Sequence, residues 1–412
     1  MIKLFKSVGQ TYYSNYRGVP SACWIDIFFN LLNAMSVGVC FFLSLYFVDE
    51  LHFNMIIVGL LMSSYGIGTV VGGIVSGKSC DRYLPRKLTI LSLILQCVAF
   101  FSLAWFHTFE WLITILFILG FSNYSFKTAN NVSMLSHCYE EKRIRLKAIN
   151  ISHAASNLGL GISGIVVGLM ASYGYTSIFY LASSILIFSA IYLIFFHKSF
   201  MQSPKDGSQG KFQNGLNSNI PKKKILALAL LATFFVGMII AQLGSTYPVY
   251  VKDAFPDLAT KAVSILFILD TIIIVLFQTP LSNYYGHFNT VLIMGLGAFL
   301  MGLGMFILTL SSTFALAMIS CFIWTTGEML FIPTVQLLCY ENGNKLKKGQ
   351  SMGMFQSTYA ISTVVGPTIG GFMYVKIGSN SMWYLSLIIG VVCLIFCISL
   401  SRDTNKSVLV LR

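Results

Sequence analysis

Charge is what this sequence has least of. Asp and Glu together number 14 in 412 residues, and charged side chains make up only 10% of the chain. A soluble domain carries roughly 25%, so this chain lacks a polar coat to present to water. Metal-ligand spacing is also missing. The nine cysteines stand apart, and the closest pair, Cys393 and Cys397, has no second pair to complete a site. They read as small apolar side chains, and no cofactor is expected.

What is present is apolar length. Apolar residues make up 56% of the chain and fall in runs of about 20, the length a helix needs to cross a hydrocarbon core of about 30 Å. Lipid offers the backbone no hydrogen-bond partners, so the runs should be helices. Twelve are predicted, starting near Ala22, Met55, Leu88, Trp111, Ala148, Thr176, Lys224, Lys261, Thr290, Phe314, Gly349 and Met382. The first is too long for a signal-peptide core and no small-residue cleavage site follows it. With the N-terminus placed inside, all but four of the 27 Lys and Arg residues fall on the cytoplasmic side. The exceptions are Lys127, Lys252, Lys261 and Lys376. The net charge of +13 is therefore a topology signal, with both termini cytoplasmic, and needs no nucleic-acid partner.

Residues 197–223 are polar, basic and rich in Gly, Asn and Ser, a flexible cytoplasmic linker. It separates an N-terminal six-helix bundle (1–196) from a C-terminal one (224–412). Shifting the second half back by about 205 positions sets Gly366 on Gly161 and FIWTTGEMLFIP on FILGFSNYSFKT. Internal repeats of this kind build many secondary transporters, whose substrate sites lie between the halves.

Gly72 to Ser79 reads GGIVSGKS and satisfies the phosphate-loop pattern, but that chemistry needs a loop leaving a strand. Here the run ends an apolar, glycine-rich span. The same stretch continues as Gly77-x-x-x-Asp81-Arg82-x-x-x-Arg86-Lys87, which resembles the signature loop of the major facilitator superfamily. The resemblance implies a charge relay that latches the two halves on the cytoplasmic side. The matching loop of the second half, Asn283 to His287, keeps a glycine but has no acid or arginine, so the relay should be one-sided. TTGEMLFIPTVQLL with the glycine-rich run through Gly366-Pro367 and Gly370-Gly371 is similar to the drug:proton antiporter branch. Phe126-Lys127-Thr128-Ala129-Asn130 and Asn157-Leu158-Gly159 are similar to the proton-coupled oligopeptide transporters, which carry a lysine in the fourth helix and a glutamate in the tenth.

Ionisable groups inside spans cost several kcal/mol unless they face water or a partner. Four stand out: Asp26, Lys127, Asp270 and Glu328. Asp26, Asn30 and Asn33 share one helical face, as do Asn123, Lys127 and Asn130, and Asn150, His153 and Asn157. Three polar stripes in one half read as the wall of a wet cavity. The family resemblance adds that helices one, four, seven and ten line it, which places Asp26, Lys127, Gln242 and Glu328 there. Glu328 is expected to carry the coupling proton, with Asp270 and Asp26 as further candidates, and Lys127 to hold an anionic group. Prolines 280, 333 and 367 fall inside spans of the second half, so bending should concentrate there.

The sequence thus points to an all-α integral membrane transporter of twelve helices in two bundles, not an enzyme. It should act as a monomer in a bacterial inner membrane, moving a small-molecule solute by alternating access with protons as the driving force. Efflux of small amphipathic compounds leads, and symport of a peptide, siderophore or other hydrophilic metabolite is the alternative.

Overall fold

The computed structural model describes residues 16–138, 141–170, 174–195, 222–258, 260–344 and 346–409. Most of the expected linker therefore lies outside the described residues. Among the described residues twelve long helices follow one another: α1 Ser21–Val37, α2 Met55–Cys80, α3 Pro85–Leu103, α4 Phe109–Ser136, α5 Lys142–Met170, α6 Tyr175–Phe195, α7 Lys222–Ala241, α8 Thr260–Tyr285, α9 Thr290–Leu308, α10 Phe314–Asn342, α11 Lys348–Lys376 and α12 Ser381–Leu409. Eleven are long and apolar enough to span a membrane. The other, α11, is as long at 29 residues but dilutes its apolar side chains with Gly, Ser and Thr. It can do so because α2, α7, α4 and α10 pack around it.

Local chemistry sets the helix ends. Asn54 caps α2 by accepting from Ile57 N at 3.0 Å, and Asn289 caps α9 by accepting from Val291 N at 2.9 Å. Pro85 opens α3, where its missing N–H costs nothing. One start differs clearly from expectation: α5 begins at Lys142 rather than Ala148. The intervening KRIRLK is too basic to register as membrane-spanning, yet it continues the helix beyond the apolar run.

The two halves repeat each other element by element. Met55 and Thr260, Pro85 and Thr290, and Phe109 and Phe314 open α2/α8, α3/α9 and α4/α10, each pair 205 positions apart. Both first helices also break at the same relative place. A 3₁₀ turn at Gly38–Phe42 interrupts the first span before Leu43–Asp49, and one at Gln242–Gly244 interrupts the seventh before Thr246–Ala254.

Within each half, small residues let backbones touch. Polar side chains then bond across the gaps, because lipid cannot satisfy them. Large apolar side chains such as Phe188, Phe195, Ile268, Phe322 and Phe396 face outward. The face carrying the α2–α3, α4–α5 and α8–α9 turns holds most of the Lys and Arg and is called the basic face below.

Candidate functional site

On the basic face the halves are in contact. Gly77 of α2 meets Gly353 of α11 so closely that a Cβ built on Gly77 would lie 2.8 Å from Gly353 Cα. At the end of α2, Asp81 accepts hydrogen bonds from Gly349 N at 2.7 Å and Gln350 N at 2.9 Å. It thereby occupies the N-terminal turn of α11, where orphan N–H groups and the helix dipole favour an anion. On the other side of the interface Arg145 of α5 lies 3.6 Å from Glu341 of α10.

Deeper in, a polar network crosses from α5 to α8 and α10. Asn150 Oδ1 accepts from Tyr285 Oη at 3.0 Å and from Gln278 Nε2. Gln278 Nε2 also donates to Met329 O at 3.0 Å. That carbonyl is free for a covalent reason. Its helical partner would be the N–H of residue 333, which is proline and has none. Pro333 thus supplies the acceptor on which α8 rests, one residue beyond Glu328.

Glu328 sits at the upper end of this network, buried at 9% exposure. Its Oε1 lies 3.4 Å from Nε2 of His153 in the opposite half. Asp270 of α8, equally buried, is within electrostatic reach of Glu328 and accepts from Thr325 Oγ1 at 2.7 Å. The tautomer of His153 can be read from its neighbours. Gln278 spends its amide N on two acceptors, so the atom facing His153 Nδ1 at 3.3 Å is Oε1, an acceptor. Nδ1 is thus the nitrogen that donates to Gln278, and Nε2 faces Glu328 Oε1 and Asn157 Nδ2, the latter at 3.5 Å.

Across the interior from this pair, Lys127 of α4 is half-buried with its Nζ 4.9 Å from the Tyr124 ring centroid. Among the described residues it makes no ion pair. Tyr124 engages the Thr363 side chain of α11, and Tyr359 of α11 lies within reach of both Tyr124 and Glu328.

A closed basic face, paired six-helix halves and buried titratable groups on their boundary are the architecture of a rocking transporter. The family profile of the Major Facilitator Superfamily matches residues 27–362. This chain belongs to the major facilitator superfamily. It is similar to an uncharacterised MFS-type transporter of Bacillus subtilis, YttB, with 24% identity over 352 residues, covering 84% of this chain and 86% of that one. Over 156 residues it is 26% identical to the multidrug resistance protein MdtG of Serratia proteamaculans, covering 36% and 37%. Its fold matches the E. coli fucose:proton symporter FucP with a TM-score of 0.71 at 14% identity, covering 93% of this chain and 99% of that one. The protein is a multi-pass membrane transporter of a small solute, not an enzyme.

Placed in this fold, several expected site residues occupy other positions. Asp26 does not line a cavity: it is 0% exposed and pairs with Arg86 at 2.5 Å. Ser133 Oγ also donates to it at 3.2 Å. Arg86 thus holds α3 to α1 within the first half instead of latching the halves, and Gly77, Cys80 and Asp81 are the residues of that stretch that meet α11. Arg82 and Lys87 are exposed on the basic face.

The asparagine stripes are likewise interhelical bonds, not a wet wall. Asn30 donates to Ser152 and Ser156 Oγ at 2.8 and 2.7 Å, and Asn33 to Gln96 at 2.7 Å. Asn123 donates to Tyr65 Oη at 2.8 Å, and Asn130 to Asp26 O at 2.9 Å. Gln242 is fully buried and donates to Gly366 O at 2.8 Å, joining α7 to α11.

Glu328, Asp270 and His153 are brought together and Lys127 stands apart. Gln278, Tyr285, Tyr124 and Tyr359 were missed. A proline four residues after a carbonyl beside a buried acid was the available signal for Gln278.

Proposed function

We propose that the protein is a proton-coupled exporter of small amphipathic organic compounds bearing an anionic group. The observation that carries this reading is the 3.4 Å approach of His153 Nε2 in one half to Glu328 Oε1 in the other, with Asp270 beside it. Loading a proton on Glu328 removes both its attraction for an imidazolium and its repulsion of Asp270. The tie between halves then weakens, and with it the α5–α8 network that keeps the basic face closed. Proton occupancy and the alternating equilibrium become linked.

The solute class follows from what remains of the interior once the asparagines are spent on helix packing. Lys127 without a carboxylate partner favours an anionic group, and the rings of Tyr124 and Tyr359 favour an apolar or aromatic body. Export accords with the partial similarity to a multidrug resistance protein, and proton use with the fold shared with a proton symporter. A second reading, symport of a carboxylate, rests on Lys127 and Glu328 belonging to opposite halves, where both could be occupied at once.

Proteoliposomes with an internal pH dye and an imposed proton gradient test the proposal. Aromatic carboxylates, lipophilic cations and dipeptides are added in turn. Proton movement opposite to an aromatic carboxylate supports export, and movement with it supports symport. Solute flux with no proton movement overturns both.

A further inference from the structure

A concavity of about 420 Å³ opens on the basic face between the start of α5 and the α8–α9 turn. The first half contributes Arg17, Arg143, Lys147 and a single acid, Glu141; the second contributes Gly286 and His287. We propose that it is a binding site for a phosphate-bearing anion, and that its occupant stabilises the state in which the basic face is closed.

Three observations carry this. The first is excess positive charge: none of Arg17, Arg143 and Lys147 makes an ion pair with a carboxylate among the described residues, and Glu141, within electrostatic reach of Lys147, is one acid against three cations. Arg145, in the same basic run, is already committed to Glu341. Topology accounts for cations on this face, but not for three of them converging on one hollow.

The second is donor geometry. Lys147 Nζ uses one proton on Arg17 O at 2.9 Å, which ties the two cationic segments together and leaves donors free. Arg143 Nη2 touches His287 Nδ1 and keeps the rest of its fork for an anion, the group that binds phosphate best. The third is depth. KRIRLK lies just before the apolar run that begins at Ala148, the level at which basic pockets between transmembrane helices take phospholipid head groups.

Because its walls come from both halves, the hollow exists only while they meet. An occupant that binds this state better than the open one must shift the equilibrium toward it. A membrane phospholipid and a soluble phosphate compound share the chemistry the site reads, and the test separates them.

The full chain is purified in detergent, with spin labels at exposed Tyr83 and Leu346 on opposite halves of the basic face. It is titrated with dioctanoyl phosphatidylglycerol, dioctanoyl phosphatidylcholine and glycerol phosphate. The anionic lipid should raise the unfolding midpoint saturably by about 3 °C and enrich the shorter label distance, and phosphatidylcholine should do neither. If glycerol phosphate matches the anionic lipid, the source is a free phosphate; if only the lipid acts, it is a head group. Lys147→Gln and Arg143→Gln, made singly and together, should weaken half-saturation by about tenfold or more, and Lys147→Arg should preserve it. No saturable response to either anion overturns the proposal, as does a response that survives both single neutralisations.

Discussion

His153 Nε2 and Glu328 Oε1 face each other at 3.4 Å across the boundary between the two halves. The two residues are 175 positions apart. Rocking of the halves would separate them, which is why the proposed coupling is placed on this pair.

Glu328→Gln keeps the hydrogen-bonding shape but cannot release a proton. Gradient-driven flux in proteoliposomes should be abolished, and binding of an aromatic carboxylate should persist. Retention of proton-driven flux at the wild-type rate would remove Glu328 from the coupling role.

Lys127→Ala removes the unpaired cation. Affinity for carboxylate-bearing solutes should fall by about tenfold or more, with neutral analogues of the same body little affected. Lys127→Arg should restore part of the loss. Equal weakening for charged and neutral solutes, measured by equilibrium binding, would point to packing instead.

Gly353→Leu places a side chain where Gly77 Cα and Gly73 O already stand. Closure of the basic face should be blocked, since neither partner is a flexible side-chain end. Distances between labels at Tyr83 and Leu346 should move to longer values. An unchanged distribution would show that α2 and α11 do not close this face.

Arg86→Met strands the Asp26 carboxyl in a fully buried position and should cost about 3–5 kcal/mol of stability. Asp26→Leu combined with Arg86→Met should recover much of that loss, because the desolvation of both charges is then avoided. Denaturant unfolding in detergent measures both. A loss below about 1 kcal/mol, the range of exposed pairs, would mean that Asp26 reaches water after all. Asp26→Asn molecules that fold should retain proton-driven flux.

Gln278→Leu removes the amide that donates to both Met329 O and Asn150 Oδ1, leaving each with Tyr285 Oη alone. The closed state should become less populated, seen as a shift of the Tyr83–Leu346 label distances to longer values. Pro333→Ala restores the helical bond to Met329 O and should loosen the same contact from the other side.

Helix number and order were legible because they rest on local properties: apolar length, Lys and Arg placement, and capping residues such as Asn54 and Asn289. The repeat was legible for the same reason, since a 205-position echo needs no knowledge of packing. The start of α5 was missed because a basic helical turn beyond the membrane has no apolar signal. The breaks at Gly38 and Gln242 were missed because apolar residues continue through them.

Sequence by itself determined that the chain spans a membrane with twelve helices in two related halves, and that Glu328, Asp270 and Lys127 are costly groups with work to do. Tertiary structure alone decided who their partners are. Asp26, Asn30, Asn33, Asn123 and Asn130 lie on polar helical faces indistinguishable in sequence from a cavity wall. A polar side chain looks the same in a helical projection whether water or another helix waits opposite. In lipid either can satisfy its hydrogen bonds, and only the packing of segments far apart in the chain selects between them.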